Sequence, residues 1–184
     1  MADLPIIVQG TAVVLTPQQR ENVPTYWHWI CDPEVNAGLV DTGACVTIEN
    51  EYDWYDRRVA KASPESVNFD IHERNGMRLV GDCGIFDIDR VAGTAECGIL
   101  IGEKDCWNRG YGTETMVLLA RYAFDTLGLC NLMLHVYDFN TRAIAAYRRA
   151  GFHEAGRRRH IRHGGQLVDE IIMDILPGEV AVLP

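Results

Sequence analysis

No apolar run in this chain is long enough to span a membrane. None of its six cysteines (Cys31, Cys45, Cys83, Cys97, Cys106 and Cys130) stands in a CxxC pair, which argues against a zinc site built on paired thiolates. No metal is expected. The thiols are expected instead as small buried hydrophobes, with Cys83, Cys97 and Cys130 in strand-like runs. Met1-Ala2-Asp3-Leu4-Pro5 lacks the basic segment and long apolar stretch of a secretory signal, so the expected location is cytoplasmic. Internal repeats, low-complexity tracts and a dividing linker are missing too. Positive charge is in deficit: the net charge is −9, which disfavours general binding to nucleic acid. An acidic surface instead tolerates or attracts a cationic acceptor such as an amine.

What is present is ordinary for a globular protein. The 184 residues are 47% hydrophobic and 23% charged, enough for one domain over 1–184 with a real core. A first strand is expected from Ile6 to Leu15, interrupted by Gly10. Thr16-Pro17 then reads as a helix start, and the helix runs through Trp27 and Ile30 until Asp32-Pro33 stops it. Asp32 to Thr47 reads as a loop containing Gly38 and Gly43. A second helix follows from about Glu49 to Ala62, with Tyr52, Tyr55, Val59 and Ala62 on one face. Val67–Ile71, Arg78–Ile88 and Thr94–Gly102 read as an antiparallel meander.

The second half begins with a helix from about Gly112 to Leu127, burying Met116, Leu119, Ala120, Ala123 and Leu127, with Gly128 as its cap. A strand from Leu132 to Tyr137 and a short helix from Thr141 to Ala150 follow. Arg157–Arg162 and Leu167–Ile175 flank His163-Gly164-Gly165-Gln166, a hairpin signal. The order β-α-α-β-β-β-α-β-α-β-β is that of a mixed α/β domain.

The sharpest feature is Trp107-Asn108-Arg109-Gly110-Tyr111-Gly112-Thr113, which joins a strand to an amphipathic helix. Two glycines there permit close backbone approach, and free N–H groups at the helix start suit a pyrophosphate. The same glycines also serve a plain strand-to-helix turn. The segment lacks the Gly-Lys-Ser/Thr of a Walker A loop and the three glycines of the dinucleotide fingerprint.

These residues resemble the GNAT (GCN5-related N-acetyltransferase) family, whose motif Gln/Arg-x-x-Gly-x-Gly/Ala reads here Trp107-x-x-Gly110-x-Gly112. The tryptophan departs from the general pattern and is similar to the branch of ribosomal-protein N-terminal and spermidine acetyltransferases. A second block, Asn140-Thr141-Arg142-Ala143-Ile144-Ala145-Ala146-Tyr147-Arg148-Arg149-Ala150-Gly151-Phe152, resembles the family's Asn-x-x-Ala-x-x-x-Tyr-x-x-x-Gly-Phe segment. The resemblance covers roughly Arg78 to Ile175.

The resemblance implies a GNAT fold, a central mixed but mostly antiparallel sheet flanked by helices. It implies acetyl-CoA as co-substrate, and transfer to an amine by direct attack in a ternary complex. Coenzyme contacts are implied for Ile99, Leu100 and Ile101, for Trp107, Asn108, Arg109, Gly110, Tyr111, Gly112 and Thr113, and for Asn140, Ala143, Ala146 and Tyr147. Tyr147 is the expected general acid, since an ordinary tyrosine stays protonated at neutral pH. Glu96 is the leading candidate base; an exposed strand carboxylate or a water chain is the competing reading. Asn140 also suits an N-cap. Arg157 to His163 reads as a solvated strand face. Asp32, Glu34 and Asp41 are candidates to line a cation site. Open alternatives are a sensing module that binds acetyl-CoA without turnover, and an enzyme for a longer acyl chain. A homodimer fits the commonest assembly of soluble proteins.

Overall fold

The computed structural model describes residues 4–39, 46–61 and 63–183. The expectations for Asp41, Gly43, Cys45 and Ala62 lie outside the described residues. No helix among the described residues is long and apolar enough to cross a membrane.

The chain opens on a hairpin of β1 (Val8–Gln9) and β2 (Val13–Pro17), where one strand was expected. The turn between them is held from outside. Glu114 accepts hydrogen bonds from the Thr11 hydroxyl at 3.0 Å and the Ala12 N–H at 3.0 Å, and from the Thr11 N–H. Thr16-Pro17 does not start a helix. Both residues stay in register with β3, and Pro17 lies at the strand's end, past the two residues that β1 pairs. Helix α1 (Val23–Cys31) starts later, with a proline in its first turn. The Asp32–Thr47 segment, expected as loop, contains α2 (Pro33–Asn36), capped by Asp32 through the Glu34 N–H at 2.9 Å. Helix α3 (Ile48–Arg58) is shorter than expected at its C-terminal end. Thr47 and Asn50 form a reciprocal capping box at its start.

The meander is as read: β3 (Val67–Glu73), β4 (Leu79–Asp89) and β5 (Thr94–Ile101) pair antiparallel. Helix α4 (Tyr111–Arg121) runs into a wider π turn over Tyr122–Thr126, so the expected helix to Leu127 is not uniform. Then come β6 (Asn131–Tyr137), α5 (Thr141–Ala150), β7 (His153–His163) and β8 (Gln166–Ile175). The eight-stranded sheet has the order β1-β2-β3-β4-β5-β6-β8-β7 and is antiparallel except between β5 and β6.

Helix α4 packs its predicted face (Met116, Leu119, Ala120 and Ala123, all 0% exposed) into the main core with Phe69, Ile71 and Ile85. On the other sheet face, α1 and α3 bury a smaller cluster around Tyr26, Trp29 and Tyr55. Both faces of β3 are therefore covered. Its polar Asp70 is 0% exposed, accepting from the Tyr26 hydroxyl, from Asn22 Nδ2 at 2.8 Å and from the Gln19 N–H at 3.2 Å. Burial pushes its carboxyl up to about 6 despite these hydrogen bonds.

The cysteine expectation is corrected in part. Cys83, Cys97 and Cys106 are buried, whereas Cys31 and Cys130 are exposed, Cys130 because it precedes β6 rather than belonging to it. The basic run is a solvated strand face: Arg157 pairs with Glu154 at 3.1 Å and Asp169 at 3.3 Å. Such exposed pairs add little stability.

Candidate active site: two cavities that meet on β5

Strands β5 and β6 hold together only briefly. Their parallel register covers Thr94↔Asn131, Ala95↔Leu132 and Glu96↔Met133 and then stops, although β5 continues to Ile101 and β6 to Tyr137. Beyond Glu96 the strands diverge. The gap opens into a cavity of about 520 Å³, lined on one side by Ile99, Leu100 and Ile101 and on the other by His135 and Val136.

The loop entering α4 closes one end of this cavity. Trp107 donates its indole N–H to the Ile101 carbonyl at 2.7 Å, tying the loop to the end of β5. Gly110 caps the helix in the left-handed region, φ 86°, where glycine carries no steric cost. The first intrahelical bond runs from the Glu114 N–H to the Gly110 carbonyl, so the N–H groups of Tyr111, Gly112 and Thr113 have no partner within the helix. All three residues line the cavity. A Cβ on Gly112 would meet nothing nearer than Ile101 at 3.9 Å, so protein packing does not demand glycine there.

Helix α5 closes the other wall. Asn140 caps it, accepting the Ala143 N–H at 3.2 Å, and also lines the cavity. Ala143, Ala146 and Tyr147 follow along the same wall. Tyr147 is 8% exposed, and burial raises its phenol well above the ordinary value, with Cys97 adding and Arg142 opposing. The Arg142 guanidinium lies 3.4 Å from the centroid of the Trp107 ring. A cation from α5 thus stands at the motif position where this chain has tryptophan.

Two expected site residues lie elsewhere. Arg109 is not on the cavity wall: its guanidinium pairs with Glu73 at 3.2 Å and covers the Tyr111 ring. Glu96 lies on neither cavity's wall; its carboxylate stands 3.5 Å from Nε2 of His135, which does line the first cavity. On the other ring side, Nδ1 of His135 is 3.4 Å from Glu170, a carboxylate 3% exposed that also meets Arg158 at 2.7 Å. Sequence reading missed His135. The available signal was a single histidine inside the apolar run Leu132 to Tyr137. Of the candidate cation-site residues, Glu34 lines the first cavity, but Asp32 and Glu34 are both engaged by Lys104, at 2.7 and 3.0 Å.

A second cavity, about 710 Å³, lies between the sheet and helices α1 and α3 and shares Leu39, Ile99 and Leu100 with the first. Its floor is a cross-strand pair of glycines, Gly84↔Gly98, where neither strand raises a side chain. Asp82↔Leu100 bounds one end of this floor and Phe86 lies towards the other.

A β5–β6 split between a helix N-terminus and a buried tyrosine is the arrangement of the acyl-CoA transferring fold that the two sequence blocks imply. Residues 12–153 match the family model described as Acetyltransferase (GNAT) domain. The chain belongs to the GNAT family and is an acyltransferase. Among relatives, it is 29% identical over 118 residues to the uncharacterized N-acetyltransferase p20 of Bacillus licheniformis, 64% of this chain and 66% of that one. It is 26% identical over 160 residues to the human alpha/beta-tubulin-N-acetyltransferase 9, 80% of this chain and 75% of that one. In fold it matches spermidine N-acetyltransferase from Vibrio cholerae, solved in complex with CoA and spermine: TM-score 0.83, 18% identity, 92% of this chain and 98% of that one.

Proposed function

We propose that this chain transfers the acetyl group of acetyl-CoA to a primary amine by direct attack, with the coenzyme in the first cavity and the amine in the second. The divergence of β5 from β6 carries the reading. It frees backbone groups along Ile99 to Ile101 beside a wall that ends in Tyr147.

The residues fit the coenzyme. The N–H groups of Tyr111, Gly112 and Thr113 meet a pyrophosphate, and Arg142 and Arg149 line the same cavity as cations for its negative charge. The pantetheine arm follows β5, whose backbone N–H groups polarise the thioester carbonyl. Leu39, Ile99 and Leu100, common to both cavities, mark where nitrogen and carbonyl carbon meet.

The amine enters as an ammonium ion and must lose a proton before it attacks. That proton passes through water to the array of Glu96, His135 and Glu170, in which His135 lines the first cavity with Glu96 beside Nε2 and Glu170 beside Nδ1. The amine nitrogen bonds to the carbonyl carbon, the carbon–sulfur bond breaks, and the departing thiolate takes the Tyr147 proton. An ordinary phenol is already protonated at neutral pH, and burial raises Tyr147 further. Tyr147 recovers its proton from solvent.

Thiol release from acetyl-CoA, measured across N-terminal peptides, polyamines, aminoglycosides and arylalkylamines, tests the reading. Turnover with one class, lost in Tyr147→Phe, is expected. Coenzyme binding without turnover on any amine would make the chain a sensing module, and no coenzyme binding would remove the reading altogether.

A further inference from the structure

Two acidic side chains line the second cavity without a partner among the described residues. Glu51 of α3 lines it and is 6% exposed, yet its carboxylate has neither a hydrogen bond nor an ion pair among the described residues. Asp82 of β4 lines it too and is likewise unpaired. Behind Asp82 stands the buried Asp70, whose acceptor positions are taken by Tyr26, Asn22 and Gln19. The other ionisable groups at the wall are Asp87, Tyr26, Cys83 and one cation, Arg58.

A carboxylate withdrawn from water without a partner is costly, and evolution or chance seldom leaves two together. Burial, with Asp70 and Glu51 close by, pushes the Asp82 carboxyl up to about 8, and burial raises that of Glu51 as well. A bound cation would relieve both. Asp82 is the direct cross-strand partner of Leu100, one of the residues at the junction of the two cavities. The carboxylates therefore lie within a short aliphatic chain's reach of the junction. The apolar surfaces of Ile30, Trp54 and Phe86 line the same space and suit methylene groups.

We propose that Glu51 and Asp82 form a subsite for a second ammonium group, so that the acceptor is an aliphatic diamine or polyamine with one nitrogen at the Leu100 junction and another between these carboxylates. This rests on the second cavity being the acceptor side. A monoamine fills the junction and leaves the carboxylates unpaired; a diamine satisfies both.

The test compares putrescine with butylamine, at saturating acetyl-CoA, in the wild type and in Glu51→Gln and Asp82→Asn. Putrescine is expected to have a KM lower than butylamine by about tenfold or more, the worth of one charge-assisted contact. Either substitution should raise the putrescine KM by a similar factor while leaving the butylamine KM and calorimetric acetyl-CoA affinity unchanged. Equal KM values for the two amines, or a putrescine KM indifferent to both substitutions, would overturn the subsite while leaving acetyl transfer intact. If no amine turns over, calorimetric titration of putrescine into the CoA complex decides: binding weakened by Glu51→Gln supports the subsite, and no binding overturns it. Melting curves of both variants distinguish a lost contact from a lost fold.

Discussion

The Glu96 carboxylate lies 3.5 Å from Nε2 of His135, across the last stretch where β5 and β6 still run together. Strand β5 alternates faces, so Glu96 shares its side with Gly98 and Leu100, the floor and junction of the second cavity. His135 itself lines the first cavity. We expect His135→Asn to lower kcat by about a hundredfold or more, the usual worth of a general base. Glu96→Gln should lower it less, because the imidazole remains. Acetyl-CoA affinity should hold in both. Equal kcat for wild type and His135→Asn would exclude the imidazole from the proton path.

Tyr147→Phe should lower kcat by roughly two orders of magnitude while sparing KM for acetyl-CoA, because the ring's packing near Phe152 is retained and only the hydroxyl is lost. Since burial raises the phenol, the wild-type profile should show no loss of activity from Tyr147 ionisation as pH rises through the ordinary tyrosine range near 10. A thiol-release assay across pH checks both points.

Gly112→Ala separates binding from folding. The nearest atom to an added Cβ is 3.9 Å away, ordinary contact, and alanine is the better helix former. The melting temperature should therefore stay the same or rise. If the Gly112 backbone approaches the pyrophosphate, the KM for acetyl-CoA should rise by about tenfold, a typical cost for displacing a hydrogen-bonded anion. An unchanged KM would leave Gly112 as a residue of the turn alone.

The burial of Asp70 sets a pH dependence of stability, against which its hydrogen bond from Tyr26 works. The carboxyl of Asp70 is raised to about 6 in the fold, so the folded state prefers it neutral. Its contribution is fully present below the unfolded value near 4 and is lost as pH rises through about 6. Asp70→Asn should flatten that part of the profile in thermal melts from pH 4 to 8. Tyr26→Phe removes the donor to a fully buried oxygen and should cost about 1–3 kcal/mol at neutral pH. A Tyr26→Phe protein as stable as wild type would mean that water replaces the hydroxyl.

How far the site was legible follows the range of the interactions that build it. Trp107 to Thr113 and Asn140 to Phe152 are contiguous segments whose conformation is local. Left-handed glycine at Gly110, a side-chain cap at Asn140 and the 3.6-residue face of α4 each need only near neighbours, so their chemistry is written in adjacent letters. The meander and the final hairpin are legible for the same reason. Thr16-Pro17 misled because a helix-start pair is also tolerable at a strand's end, and pairing with Asp70 and Phe69 outweighed the local preference. Arg109 misled because its motif position says nothing of Glu73, 36 residues earlier, which holds its guanidinium.

The sequence by itself determined the family, through the resemblance of two short blocks, together with the glycine loop ahead of α4, the tyrosine helix and the antiparallel meander, because each lies within a short stretch of chain. Only the tertiary structure decided where β5 leaves β6, that His135 stands between Glu96 and Glu170, and that Glu51 and Asp82 share one cavity. Those relations join residues from different strands and helices. Their distances follow from sheet register and helix packing, which no local pattern of side chains specifies.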